Sequence, residues 1–384
     1  MRVDLPAVVA RKNAIVQQFR AGQQRHVDER RDRLDLYRGH ARFVAAKRIQ
    51  VDGEEIESER IFINTGTRPE LPRIAGIDES DALTNATVME LLDIPDHLIV
   101  LGGGYIGLEF GQMFRRFGSR VTVIHQSGQL LPREDADVAG ELQRALEAED
   151  ITFRLNAQTR RIEGRSGQSL RLSLESPAGG DTVEGSHLLV ATGRRPNTDD
   201  LGLEAARIAT DAKGFVKVNG RLETNVPGVY ALGDVKGGPA FTHISYNDYQ
   251  IIYANLIEDA GRTIDNRYVP YSLFTDPQLG GVGLTEKEAR AKGHRLKIGK
   301  TATSAVARAI ERGETAGLMK ILVDADTDRI LGASILATEG GELVQMLGAM
   351  MMADAPYTVL KGAVYIHPTL AEGFWALMED VRPA

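Results

Sequence analysis

Three glycines stand at a spacing that can cradle a phosphate. Gly102, Gly104 and Gly107 form Gly-x-Gly-x-x-Gly directly after the apolar run Leu98-Ile99-Val100-Leu101. Ile106, Phe110, Met113, Phe114 and Phe117 then recur at helical spacing, Gly118 ends the run, and Val121-Thr122-Val123-Ile124 reads as the next strand. In such a strand–turn–helix–strand unit the first glycine permits the tight turn. The second lets backbone approach a pyrophosphate, and the third lets helix and strand pack closely. The helix N-terminus then faces the phosphates. The bland alternative is a glycine-rich turn of an ordinary α/β unit, and the flanking strand and helix favour dinucleotide binding over it. An acid closing the second strand would bind a ribose 2′-hydroxyl, but His125-Gln126 stands there. NAD preference loses its usual support. NADPH is slightly favoured, with His125, Arg120 or Arg133 as candidate phosphate partners, and simple solvation is the alternative for each.

Two further stretches resemble each other. Thr65-Gly66-Thr67-Arg68-Pro69 leaves an apolar strand at 61–64, and Thr192-Gly193-Arg194-Arg195-Pro196-Asn197 leaves another at 187–191. Similar exits on either side of the dinucleotide unit suggest two related nucleotide-binding lobes. Val226-Pro227-Gly228-Val229-Tyr230-Ala231-Leu232 is a third apolar run, and it ends in Gly233-Asp234. The chain has no cysteine, which excludes disulfides, thiolate nucleophiles and cysteine-ligated metals. Its eight histidines show no metal-ligand spacing, so no metal is expected.

The elements that must position these residues follow from the pattern. Residues 4–34 read as a charged helix, and 35–63 as short strands with a hairpin turn at Asp52-Gly53. Residues 78–93 read as a connector with a short helix. Val138, Leu142 and Leu146 mark the buried side of a helix, and 239–255 is helical. From Tyr268 the pattern is α+β: short strands, a capping box Thr285-x-x-Glu288, a hairpin over 319–337, and a Met- and Leu-rich helix over 341–353. That helix is read as core or interface packing. The 384 residues suffice for two or three domains, and 42% hydrophobic with 26% charged content is ordinary for a globular protein. A net charge of −7 argues against general nucleic-acid binding. No apolar run is long enough for a membrane span and the start lacks a signal-peptide core, so a cytoplasmic location is expected.

GGGYIGLEF, ATGRRPN, VYALGD, FTHIS and HPTLAE occur in an order and context that resemble the class I pyridine nucleotide–disulfide oxidoreductases. The wording around GGPAFTHISYNDY is most similar to mercuric-reductase-like and reactive-chlorine-resistance flavoproteins. The resemblance implies an α/β fold with two Rossmann-like lobes, the FAD lobe incomplete, and a C-terminal α+β dimerisation domain. It implies an NAD(P)-binding domain at 94–214, a partial FAD domain from 1–93 and 215–265, and a dimerisation domain at 266–384. The implied activity passes hydride from NAD(P)H to FAD and on to a small-molecule or disulfide acceptor, in a homodimer. Thr65, Gly66, Gly193, Gly233, Asp234, Thr242 and His243 would serve the cofactors. Tyr105 would gate the nicotinamide ring and Glu109 would hold its carboxamide. His367, oriented by Glu372, would be the acid–base, since a carboxylate partner fixes an imidazole's tautomer and raises its basicity. Thr369-x-x-Glu372 also reads as a capping box, so Glu372 could instead serve the helix start.

The family's first Gly-x-Gly-x-x-Gly and its Cys-x4-Cys pair have no counterpart in this sequence. The chain is therefore expected to be N-terminally shortened, with an unpaired edge in the FAD sheet. A non-catalytic nucleotide-binding module and a thiol-independent flavin diaphorase are the alternative activities.

Overall fold

The computed structural model describes residues 3–384. The chain divides into two compact units. The larger is built from Leu71–Thr192 and Tyr268–Ala384, the smaller from Asp4–Glu70 and Gly193–Arg267.

A four-stranded parallel sheet organises one half of the larger unit, in the order His187–Val190, His97–Leu101, Arg120–Ile124, Ile151–Arg154. Leu98, Ile99 and Val100 are fully buried, as continuous apolar strands covered on both faces should be. The helix Tyr105–Phe117 lays Leu108 and Phe114 against the sheet. It stops at Gly118, whose φ of 117° lets its N–H reach back to Phe114. The helix Ala136–Glu147 buries Val138, Leu142 and Leu146. An antiparallel meander, Gln158–Gly164, Leu170–Ser176 and Gly179–Gly185, carries Leu170, Leu172 and Leu174 inward. Its outer strands are mostly exposed and polar, so only the central one shows strand alternation in the sequence.

The other half is a six-stranded antiparallel sheet, ordered Tyr271–Leu273, Gln278–Gly283, Ile330–Ala337, Leu318–Asp324, Leu296–Ala302, Arg382–Pro383. The helix Gly340–Met352 packs on it through Leu343, Val344, Leu347 and Met351. Thr285 and Glu288 form both bonds of the expected capping box.

In the smaller unit the helix Leu5–Asp28 is largely exposed and begins at Asp4, whose side chain accepts from Ala7 N–H. Three antiparallel strands follow, Ala41–Ala45, Arg48–Val51 and Glu54–Glu57. Asp52 and Gly53 both have positive φ, 47° and 94°, the backbone of a tight hairpin turn. Residues 35–40, expected as part of the first strand, are not strand. Ile61–Ile63 pairs in parallel with Val229–Ala231, and its other edge has no strand partner among the described residues.

Two expected boundaries move. Residues 71–93 join the larger unit, because Ala75 bridges to Arg161 and Leu83 to Leu189. Residues 193–214 join the smaller one, because Arg194–Pro196 pairs antiparallel with Thr67–Pro69. The two similar strand exits of the sequence are thus hydrogen-bonded to each other.

Candidate functional site

The glycine loop of the larger unit separates two packing positions from one open position. A Cβ on Gly102, whose φ is +114°, would lie 2.4 Å from the Ala191 carbonyl oxygen. One on Gly107 would lie 2.0 Å from the Gly102 carbonyl oxygen. Gly104 has φ −92° and nothing within 4 Å of its Cβ position. It is the N-cap of the helix that starts at Tyr105, and no side chain caps that start. An open glycine at an uncapped helix N-terminus is what a pyrophosphate requires, so the residues fit a dinucleotide here. Ile106 is half-buried on the first turn.

His125 does not simply face solvent at the end of its strand. Its Nδ1 accepts from Gly103 N–H at 3.2 Å, so the ring braces the glycine loop. Its Nε2 is buried with no hydrogen-bond partner. With Nδ1 accepting, the proton of the neutral ring sits on Nε2, and burial lowers the imidazole's pKa to favour that form.

Tyr105 and Glu109 point into the packing of the larger unit. Tyr105 donates to Glu134 Oε1 at 3.0 Å, and Tyr271 donates to both Glu134 oxygens at 2.8 Å. Burial pushes the Glu134 carboxyl above the usual carboxylate range and both phenols up as well. Glu109 Oε1 accepts from Phe274 N–H at 2.8 Å, and burial raises its pKa too. Glu109 is therefore not a solvated helix position but a carboxylate with one oxygen engaged. Nothing in the local sequence signals Glu134 or Tyr271, because their pairing spans 137 positions.

In the smaller unit, Asp234 Oδ2 accepts from Thr67 Oγ1 at 3.0 Å, and Arg194 Nε donates to that same hydroxyl at 2.8 Å. Arg194 also donates to the Thr67 carbonyl. The paired strand exits thereby fix the Asp234 carboxylate. Thr67 and Arg194 lie in the repeated motifs, and that repetition was the signal for them. Gly233 has φ 69°, and a Cβ there would meet Asn64 Oδ1 and Ser245 Oγ at 2.7 Å. Its N–H donates to Asp248, a fully buried carboxylate that Lys236 and Arg267 also contact. Thr65 Oγ1 donates to the Asn197 carbonyl, and Asn197 Nδ2 returns to the Thr65 carbonyl. Gly66 takes φ 69° and its carbonyl accepts from Asn197 N–H. Gly193 follows the companion exit, its carbonyl accepting from Glu70 N–H. Thr65, Arg68, Asn197 and His40 line an open cleft with Asp199 and Asp200. The helix Thr242–Ile257 begins without a side-chain cap, and His243 stacks on Phe241 at 5.3 Å.

His367 Nδ1 lies 2.8 Å from Glu372 Oε2. The imidazole is 72% exposed and the carboxylate 17%. Glu372 N–H donates to Thr369 Oγ1, but the expected capping box does not form: the helix starts at Gly373 with Glu372 as its N-cap and no side-chain cap, and the Glu372 side chain is turned to His367. A half-buried carboxylate holding an exposed imidazole is a proton-transfer arrangement.

Two family models cover nearly all of the chain. The pyridine nucleotide-disulphide oxidoreductase model matches residues 4–248, and that family's dimerisation domain matches 269–378. The chain belongs to this family. It is 36% identical to the probable pyridine nucleotide-disulfide oxidoreductase RclA of Escherichia coli over 99% of its own length and 86% of the relative's. It is 35% identical to a mercuric reductase of Lysinibacillus sphaericus, covering 97% of this chain and 68% of that protein. It is 37% identical to a dihydrolipoyl dehydrogenase of Thermus scotoductus, covering 91% and 76%. A solved Cu(II) complex of the HOCl-induced flavoprotein disulfide reductase RclA superposes with a TM-score of 0.92 at 35% identity, covering 99% of this chain and 87% of that one. These matches run across this chain and lend no support to the expected shortening.

The family depends on flavin and pyridine nucleotide, and the chain is an FAD- and NAD(P)-dependent oxidoreductase by that membership. The residues fit the two groups unequally. The Gly102–Gly107 loop matches a nicotinamide dinucleotide, and the held Asp234 carboxylate matches a ribityl hydroxyl partner. Among the described residues no second glycine-rich strand–helix turn offers a cradle for the FAD pyrophosphate. No helix among them is long and apolar enough to cross a membrane, and they hold no metal-ligand cluster.

Proposed function

We propose that this chain oxidises NAD(P)H as a homodimer and passes the electrons to a small-molecule or disulfide acceptor from outside its own sequence. The observation that carries this reading is the open Gly104 position at an uncapped helix start, between two glycines that packing makes obligatory. FAD, when bound, supplies the hydride-accepting ring. The helix N-terminus neutralises the nucleotide pyrophosphate through its unsatisfied N–H groups. Glu109 keeps one oxygen on Phe274 N–H and offers the other to the nicotinamide carboxamide. His125 braces the loop through Nδ1, and its place where an acid would bind the ribose 2′-hydroxyl supports a lean to NADPH. Asp234, fixed by Thr67 and Arg194, accepts from ribityl hydroxyls, with Thr65 and Gly66 on the same strand exit. The uncapped helix start at Thr242 and His243 favours negative charge nearby. His367 moves a proton on the acceptor side while Glu372 sets its tautomer. The chain itself contains no thiol relay.

A second reading is favoured by the single glycine fingerprint: a dimer that binds nicotinamide nucleotide without turnover. One experiment separates the two. The purified chain is incubated with FAD, desalted and scanned in the visible, then mixed with NADPH or NADH and a dye acceptor. Retained flavin bands bleached by NADPH, with dye reduction, are expected. A colourless protein that still quenches NADPH fluorescence would establish the binding module instead.

A further inference from the structure

The segment that carries Glu134 is fastened on every side. Leu131 N–H donates to the Gly103 carbonyl at 3.0 Å, which ties the segment to the glycine loop itself. Gln129 Nε2 donates to the Glu134 carbonyl, and the neighbouring Asp135 carboxylate accepts from Glu286 N–H and meets Lys320 Nζ at 2.9 Å. The Glu134 side chain, 6% exposed, therefore has a fixed place beside the loop. Two phenols converge on it. The Tyr105 and Tyr271 rings stack at 5.9 Å with 29° between their planes. Room for the Tyr271 ring is built into the next strand: a Cβ on Gly281 would lie 2.1 Å from Tyr271 Cζ. A hydrophobic pair would need none of this, since a buried carboxylate is costly unless its oxygens are bonded.

Tyr105 is the first residue of the helix whose start the nucleotide would occupy. We propose that Glu134 and Tyr271 are positioning residues for Tyr105, holding its ring in the orientation that a nicotinamide nucleotide meets on entry. This rests on the nucleotide-site reading above. A ring held by a hydrogen bond at its tip and a stack along its face has little freedom left to lose. The nucleotide then binds without first ordering it. Glu134 touches no substrate in this role and acts through the Tyr105 hydroxyl.

The test is a double-mutant cycle on the affinity of the full 384-residue chain for NADPH and NADH, read by nucleotide fluorescence with no acceptor present. Tyr105→Phe, Glu134→Gln and Tyr271→Phe are each expected to raise Kd about three- to tenfold, the net worth of one ordinary hydrogen bond. Tyr105→Phe combined with Glu134→Gln should bind no worse than the weaker single variant. Tyr271→Phe keeps ring and volume, so it remains informative if Glu134→Gln folds poorly. Additive losses, unchanged affinity in Glu134→Gln and Tyr271→Phe, or tighter binding in either would overturn the positioning role. If Tyr105→Ala and Gly104→Ala both bind nucleotide as the parent does, the nucleotide site itself lies elsewhere and the proposed function fails first.

Discussion

Replacing the three fingerprint glycines by alanine, one at a time, separates the glycines that build the fold from the one that serves a ligand. At Gly107 the new Cβ would sit 2.0 Å from the Gly102 carbonyl oxygen and 3.1 Å from Val100 Cγ1. The first contact is with backbone and cannot rotate away. Helix and strand must separate, at a cost of roughly 1–3 kcal/mol or more. At Gly102 the Cβ would meet the Ala191 carbonyl at 2.4 Å, and the φ of +114° adds backbone strain. At Gly104 nothing lies within 4 Å and φ is −92°, so alanine costs only the preference for glycine at an N-cap, about 1 kcal/mol or less. Its methyl group would, however, fill the approach to the helix N-terminus. Overpacking there by roughly 1–3 kcal/mol raises Kd for the nucleotide about 5- to 150-fold. Urea midpoints and NADPH fluorescence titrations on the three variants give both quantities. Gly107→Ala and Gly102→Ala are expected to lose stability. Gly104→Ala is expected to keep it and lose affinity. A Gly104→Ala chain that binds NADPH as tightly as the parent would refute the reasoning.

Lys320, 2% exposed, faces Asp135, Asp137 and Glu286, so Lys320→Met leaves three carboxylates facing one another. A loss near the low end of 3–5 kcal/mol is expected at pH 7, because Asp137 and Glu286 reach solvent, and a smaller one at pH 4; equal urea midpoints at pH 7 would contradict it. His97, half-buried beside Thr122, has a pKa lowered by its partial burial, so its folded state binds protons less readily than the unfolded chain. Its contribution to stability is present above the unfolded value of about 6.5 and lost as pH falls through the lowered folded value. The gap in thermal midpoint between the parent and His97→Gln should shrink from pH 7.5 to pH 5.5; a constant gap would show that burial is not the cause. Glu372→Gln should leave thermal stability nearly unchanged, since its imidazole partner is 72% exposed, yet slow acceptor reduction, because the imidazole loses the carboxylate that sets its tautomer. An unchanged rate would show that Glu372 does not act through His367.

What the sequence reveals here is local. The glycine loop, the Gly118 stop, the Asp52-Gly53 turn and the Thr285 capping box are short motifs whose residues answer to near neighbours. The two Thr-Gly…Arg-Pro exits are visible as a repetition, but only the structure shows that they pair, and that the pairing moves 193–214 into the smaller unit. Glu134, Tyr271 and Lys320 leave no trace in the pattern. Each is an ordinary residue type whose role exists only after distant strands meet. The meander strands Gln158–Gly164 and Gly179–Gly185 escape notice because one face of each is wet and their alternation is weak. His125 shows the limit of motif logic: its place in the unit is plain, but the bond from Gly103 that sets its tautomer is not.

The pairing of the two strand exits has a consequence for synthesis. Thr67 closes its contact with Asp234 across 167 positions of chain, and Ile61–Ile63 finds its strand partner in Val229–Ala231. At about 5–20 residues per second, a ribosome needs roughly 8–30 s to deliver that partner. Throughout that interval the nascent chain carries a β-forming segment with both edges unpaired, and neighbouring chains on the same messenger carry the same one. The topology that brings the Asp234 carboxylate to its hydroxyl therefore also sets the length of time for which that segment stays open to pairing with another chain.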